Sequence, residues 1–209
     1  MGVDLVIVAY ATAGPYEQEA ARLRASCTAH GLPFHLSVLP PAADWMSAVR
    51  RKPAFLQACR AQYGRQALLY VDADAVFHTD PRPWLGALRG DIGLHAWRGT
   101  HYVSGTIWLP ESGRVDDVLA AWREADELTP DPRSPQNVLD RVVRDLGVEV
   151  AELPPELCWI FDMSPNEYGD REPVVEHLQA SRAYRRPGRV NPRLASRDAR
   201  LAEMGVSEC

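Results

Sequence analysis

In the stretch Leu68-Leu69-Tyr70-Val71-Asp72-Ala73-Asp74-Ala75-Val76-Phe77, an uncharged apolar run turns abruptly acidic. Leu68 to Val71 is continuous, with aromatic and β-branched members, and reads as a strand buried on both faces. Asp72 and Asp74 follow one residue apart. Side chains at i and i+2 share a face, so the pair is expected side by side at the rim of a sheet, where open α/β sheets take their ligands. Carboxylates that close repel one another unless a cation lies between them, and an oxygen-liganded divalent ion, Mn²⁺ or Mg²⁺, fits best. The competing reading is turn chemistry, with Asp72 ending the strand and Asp74 capping a turn, since short acidic patterns recur by chance.

The chain around this stretch has 209 residues, 46% hydrophobic and 24% charged, enough for one sizeable core. Its longest N-terminal apolar run, Leu5 to Ala11, is too short to span a bilayer and follows Asp4 rather than a basic segment. No membrane association and a cytoplasmic location are therefore the default expectations. Cys27, Cys59, Cys158 and Cys209 lack paired spacing, which points away from a zinc knuckle or a disulfide framework. A net charge of −5 gives no general attraction to nucleic acid or to anionic lipid. Lys52 is the only lysine among 23 basic residues. Retained against so strong an arginine bias, just upstream of the acidic pair, it is a candidate for a phosphate or ribose contact; the plainer reading is a solvated surface charge.

From the N-terminus, Val3 to Ala9 reads as a buried strand, Tyr16 to His30 as a helix stopped by Gly31, and Leu32 to Leu39 as a second strand. This order opens a parallel, doubly wound sheet. Tyr10, where the first strand ends, is placed either to stack on a nucleobase or to serve as a rim aromatic. One helical segment is expected from Trp45 to about Tyr63. Tyr102 to Leu109 reads as a strand with Ser104-Gly105 near its start, and glycine there implies a bulge or the close approach of a ligand or backbone. The Ser104 hydroxyl is available to a sugar. Val115 to Glu127 has helical spacing and is stopped by the Pro130-Asp131-Pro132 loop, and Ser134 caps a further helix that Gly147 ends. Cys158 to Phe161 is an apolar run ended by Asp162. Pro173 to His177 reads as a last short strand, with His177 either an imidazole ligand or a half-buried histidine. Seven arginines and one acid lie between Arg182 and Arg200, a solvated face or a phosphate clamp.

Taken together, the chain resembles the GT-A glycosyltransferases, in particular the small nucleotide-diphospho-sugar transferase-like proteins of bacteria and phages. The residues that carry the resemblance run in order: Tyr10 and Thr12; Trp45 and Lys52-Pro53; Leu69 to Asp74; Ser104-Gly105-Thr106; Gln136 to Leu139; and His177 to Arg182. The resemblance implies a single GT-A (Rossmann-like) α/β domain over residues 1–182, its mixed, mostly parallel sheet flanked by helices, with 183–209 as an Arg-rich C-terminal extension. It further implies that Asp74 and His177 hold Mn²⁺ or Mg²⁺ on the diphosphate of a nucleotide-sugar donor, a UDP-sugar first, with Asp72 a further metal ligand or a ribose contact. Tyr10 and Thr12 then lie on the donor, Lys52 and Arg182 face its diphosphate or sugar, and Ser104 and Gly105 line the sugar and acceptor side. Many relatives carry Asp-Gln at the start of the late helix. Here Pro135 precedes Gln136, so a hydrogen bond to sugar remains possible there but no carboxylate is present.

The activity so implied is metal-dependent glycosyl transfer to an unidentified acceptor, a modified base in DNA being a candidate if the source is a phage. With the rim acids committed to metal and a late histidine ligand present, transfer is expected to retain anomeric configuration. Asp162 is the one acid left to act as an inverting base. The alternatives are a nucleotidyltransferase that makes sugar nucleotides and a non-catalytic nucleotide- or carbohydrate-binding module. The first normally needs a Gly-rich, basic loop after strand one, and Ala11 to Pro15 is neither.

Overall fold

A computed structural model describes residues 3–111, 114–128, 131, 134–184 and 193–205. In it the chain runs β1 (Leu5–Thr12), α1 (Pro15–Ala29), β2 (Phe34–Leu39), α2 (Trp45–Val49), α3 (Lys52–Tyr63), β3 (Ala67–Val71), β4 (Ala75–Phe77), α4 (Arg82–Leu85), β5 (Ile92–Trp97), β6 (His101–Leu109), α5 (Arg114–Leu128), α6 (Pro135–Leu146), β7 (Val150–Glu152), a 3-10 turn (Pro155–Cys158), β8 (Trp159–Ile160), α7 (Ser164–Tyr168), β9 (Val175–His177), α8 (Ser181–Tyr184) and α9 (Arg193–Glu203). The Pro130 and Pro132 stop, Cys209, and Arg185, Arg186 and Arg189 of the basic run lie outside the described residues.

The main sheet has the order β2-β1-β3-β6-β5-β7. β1 is parallel to both β2 and β3, β5 is parallel to β7, and only β6 runs against its two neighbours. The mostly parallel sheet expected from the sequence is therefore present. Both faces are covered, which explains the unbroken apolar runs. Val6, Val8, Tyr10, Leu68 and Tyr70 pack with residues of α3, α5 and α6 in one core. Leu5, Ile7, Ala9, Leu69 and Val71 point the other way, into a second core with Leu23 and Cys27 of α1. This split by alternate residues is the period-2 rule applied to a strand with no solvated side. A smaller sheet, β4-β9-β8, begins directly after the acidic pair, with Ala75 opposite His177 and Ile160 beside it.

The helical segment expected from Trp45 to Tyr63 is broken at Arg50-Arg51 into α2 and α3. Pro53 has no N–H to donate and its ring opposes a preceding helical turn, so the second helix starts afresh with proline in its first turn. Asp44 caps α2 by accepting from the Ser47 N–H at 2.7 Å. The Ser134 hydroxyl caps α6, and Gly147 ends it at a left-handed φ of 56°. The basic run does not project as a separate solvated face over the part described. Leu201 of α9 is buried with Val76 and Leu178, and Arg197 is 5% exposed. No helix among the described residues is long and apolar enough to cross a membrane.

At one point of the sheet, packing leaves no room for a side chain. A Cβ on Gly93 of β5 would lie 2.7 Å from Cβ of Trp108 and 3.0 Å from Cδ2 of Leu153. The first of these atoms is fixed to the β6 backbone and cannot rotate aside. Gly93→Ala is expected to destabilise the fold by about 1–3 kcal/mol, the usual cost of overpacking a filled core, read as a lower midpoint in urea unfolding. A stability equal to the parent chain would show that β5 and β6 are farther apart than described.

Candidate functional site

The connection leaving β1 turns to β2 on one side, while the chain leaving β3 goes on to β5 and β6 on the other, so a crevice opens between the C-terminal ends of β1 and β3. The crevice is a cleft of about 460 Å³. Tyr10 and Thr12 line it from the end of β1, Asp72 and Asp74 from the end of β3, Ser104 and Gly105 from β6, Gln136 from α6, and His177 from β9. One ligand atom each from Asp72, Asp74 and His177 lies within 4.8 Å of the others.

The two carboxylates converge by a different route from the strand alternation expected. β3 stops at Val71, and the chain turns at once, with the Ala75 N–H donating to the Asp72 carbonyl at 3.0 Å. Asp74 is thereby folded back under Asp72. The turn of the second reading is real, and it is what brings the acids together. Asp72 keeps a side chain 41% exposed. Its Oδ1 accepts from Lys52 Nζ at 2.9 Å and from the Tyr70 hydroxyl at 2.6 Å, and Oδ2 has no partner among the described residues. Asp74 is 9% exposed and its Oδ2 accepts from the Ala180 N–H at 2.7 Å. Burial alone would raise its pKa. The imidazole of His177 close by, with the Ala180 N–H, outweighs that and holds it below the usual carboxylate range.

His177 is 2% exposed, with Nε2 at 2.8 Å from the Thr106 hydroxyl and Nδ1 at 3.9 Å from Asp74 Oδ1. Thr106 thus occupies one nitrogen and leaves the other facing the carboxylate, the arrangement that fixes a ligand imidazole in orientation and tautomer. Burial pulls its pKa down, but Asp74 and the neighbouring Cys158 lift it to about 10, so an ion taken up at Nδ1 would displace a proton. The ring lies flat on β6, where a Cβ on Gly105 would be 3.2 Å from His177 Cε1. The close approach implied by this glycine is therefore that of a side chain from another strand. The pairing of β5 with β6 jumps here from Leu94 opposite Ile107 to His95 opposite Val103, so Ser104-Gly105-Thr106 form a bulge. It aims three consecutive residues at the site: Ser104 N–H to Gln136 Oε1 at 3.1 Å, Gly105 carbonyl to Asp72 N–H at 2.9 Å, and Thr106 to His177.

The donor set fits a divalent ion. Two carboxylates with one imidazole are a donor set that Mg²⁺ or Mn²⁺ would accept. Lys52 is 2% exposed, and its three N–H groups meet Asp72 Oδ1, the Ser104 carbonyl at 2.7 Å and the Ser104 hydroxyl at 3.3 Å. It is neither a solvated charge nor free to reach a phosphate as placed; it holds Asp72 against β6. Tyr10 is 8% exposed, tilted on Phe55 and Tyr70, with its hydroxyl donating to the Ala48 carbonyl at 3.0 Å. Burial, followed by the Asp72 charge, pushes its phenol pKa up.

Asp162 and Arg182 are not brought to the cleft. Neither lines it; Arg182 Nη1 donates to Asp162 Oδ2 at 2.5 Å and its guanidinium lies over the Phe161 ring. A carboxylate and a guanidinium that neutralise each other gain more than either does facing the cleft alone, so the placement of Arg182 on the diphosphate and of Asp162 as a base is corrected. Tyr70, Thr106 and the Ala180 N–H are the groups the sequence reading left without roles. A hydroxyl fully buried in an apolar strand, such as that of Thr106, is the signal that would have found one of them.

Among solved structures the chain is similar to a glycosyltransferase involved in the glycosylation of the major capsid of PBCV-1, with a TM-score of 0.65 and 14% identity over 95% of this chain and 99% of that one. It is similar also to the glycosyltransferase GlyE of Streptococcus pneumoniae TIGR4, with a TM-score of 0.60 and 11% identity over 82% of this chain and 54% of GlyE. The apo form of GlyE gives a TM-score of 0.57. This chain thus spans about half of GlyE. No protein-family model and no curated protein sequence matches. At these identities the likeness is one of architecture, and the chain has the GT-A-like glycosyltransferase fold.

Proposed function

We propose that the chain is a divalent-metal-dependent glycosyltransferase that moves a sugar from a nucleoside-diphosphate donor, with a UDP-sugar the first to test, to an acceptor hydroxyl with retention of configuration. The observation that carries this reading is the convergence of Asp72, Asp74 and His177 in the cleft of a glycosyltransferase-like fold. Asp72 Oδ2, Asp74 Oδ1 and His177 Nδ1 would hold Mn²⁺ or Mg²⁺. When bound, the ion neutralises the diphosphate and stabilises the charge that grows on it as it leaves.

This chain's residues supply the positioning. Lys52 and Tyr70 fix one oxygen of Asp72, which leaves the other aimed outward. The Gln136 amide accepts from Ser104 through its oxygen, and its NH₂ has no partner among the described residues, so it is free to donate to a sugar hydroxyl. Trp97, Val103, Ile160 and Met163 supply an apolar part of the cleft lining, against which the acceptor would lie. Arg197 and Arg200 face carboxylates inside the fold, which weighs against the basic run as a contact for a DNA acceptor.

Retention is supported by what lines the cleft. Asp72 and Asp74 are the only carboxylates among its described lining residues, and both belong to the ion site. No further carboxylate to serve as an inverting base lines the cleft among the described residues. On the same face, the departing diphosphate oxygen takes the acceptor proton as the new bond from acceptor oxygen to anomeric carbon forms and the bond to phosphate breaks.

Turnover of a UDP-sugar should stop in excess EDTA, return on adding Mn²⁺, and be abolished by Asp74→Ala in a folded protein; full activity in chelator would sink the metal assignment. Gly105→Ala should push the His177 ring off its seat and weaken Mn²⁺ binding by roughly 10-fold, with little change in Tm. Unchanged Mn²⁺ affinity would mean that the ring is not a ligand. For stereochemistry, NMR of fresh product from an α-linked donor should show an α-linkage, and a β-linked product would reject retention.

A further inference from the structure

We infer that Arg197, on the C-terminal helix α9, is a positioning residue for the divalent-ion site, and that this helix serves as the backing of that site. The inference rests on the metal reading above.

After His177 the chain leaves the small sheet and must still deliver two backbone donors to Asp74. The Leu178 N–H meets the Asp74 carbonyl at 3.1 Å, and the Ala180 N–H meets its carboxylate at 2.7 Å. Between them Gln179 adopts a φ of 54°, a left-handed conformation unusual for a residue other than glycine. Such a bend persists only where its surroundings over-determine it. α9 supplies those surroundings. Arg197 Nε donates to the Leu178 carbonyl at 3.1 Å, so one peptide unit apart Leu178 joins Asp74 to Arg197. The far end of the same guanidinium is anchored on Glu19 of α1, which is itself 2% exposed.

One helical turn along, Arg200 spans both oxygens of Glu176, at 2.9 Å each. Glu176 and Leu178 flank His177, so the histidine is held on both sides from a single face of α9. Leu201 completes that face by packing on Val76 and Leu178. A guanidinium suits this task because its planar fork meets a carbonyl and a carboxylate at once, whereas lysine offers a single point of attachment. Buried and engaged at both ends, Arg197 is not available as a phosphate clamp.

The test is a titration of Mn²⁺ followed by the EPR signal of the free ion, with Tm measured on each sample. The proteins are the unaltered chain, Arg197→Lys, Arg200→Lys, and Arg60→Lys as control. Arg60 is also buried, at 7% exposure, and donates to the Gly64, Gln66 and Pro110 carbonyls at the opposite end of the sheet. Arg197→Lys should weaken Mn²⁺ binding by roughly 10-fold, the effect of losing a group that orients metal ligands. Arg60→Lys should lower Tm and leave Mn²⁺ affinity alone. Should Arg197→Lys not fold, Arg200→Lys is expected to move affinity in the same direction and decides the matter. Unchanged affinity in the α9 variants, or an equal loss in Arg60→Lys, would overturn the positioning role while leaving the ion site standing. Failure of the unaltered chain to bind Mn²⁺ would instead overturn the metal reading, and this inference with it.

Discussion

Two carboxylates brought together at the inner end of a covered sheet set the terms for the rest of this structure. One oxygen of each lies within 4.8 Å of the other, and at an effective dielectric of about 20 two charges at that spacing repel by roughly 3–4 kcal/mol, a large share of what a domain has to spare. Each neighbour answers that repulsion. Lys52 and Tyr70 take one oxygen of Asp72, the Ala180 N–H takes one of Asp74, and His177 faces the other. The balance is local and directional, and it leaves one open oxygen on Asp72. A site that was fully compensated internally would have no use for an ion, and one with no compensation would not stay folded.

The β6 bulge shows how a sheet can serve such a site without giving up its core. Had β6 kept regular pairing, alternate residues of Ser104-Gly105-Thr106 would have pointed to opposite faces. With the jump in register, Ser104 meets Gln136, the Gly105 carbonyl meets the Asp72 N–H, Thr106 meets His177, and the glycine is a seat for the imidazole. A functional demand is thus met by three residues of irregular backbone, while Ile107 and Leu109 return to the buried alternation at once.

Much of this was legible in the sequence because its causes are local. The unbroken apolar run of β1, the proline and glycine stops, the Ser134 cap and the apolar run into Asp72 each write their conformation within a few residues. Their convergence was legible too, in that Asp72, Asp74, Ser104, Gly105, Gln136 and His177 line one cleft. What each of them touches was not. Lys52 stood out by composition, yet only tertiary placement reveals that it serves Asp72. The pairing of Asp162 with Arg182 joins two residues that each looked free for chemistry. Nothing near Arg197 in the chain hints at Glu19, 178 positions away.

That last separation bears on how the molecule comes into being. Contacts between segments so distant in sequence form late, because closing a long loop costs chain entropy before any contact offsets it. During synthesis the N-terminal strands and helices can reach their places while β9 and α9 are still to come. Until those arrive, the turn at Asp72 and Asp74 lacks both the Ala180 N–H and the imidazole, and its acids lie open to solvent. On the proposed metal reading, the ability to hold an ion would be acquired in one of the last steps of folding, and an incompletely made or incompletely folded chain would have no formed ion site.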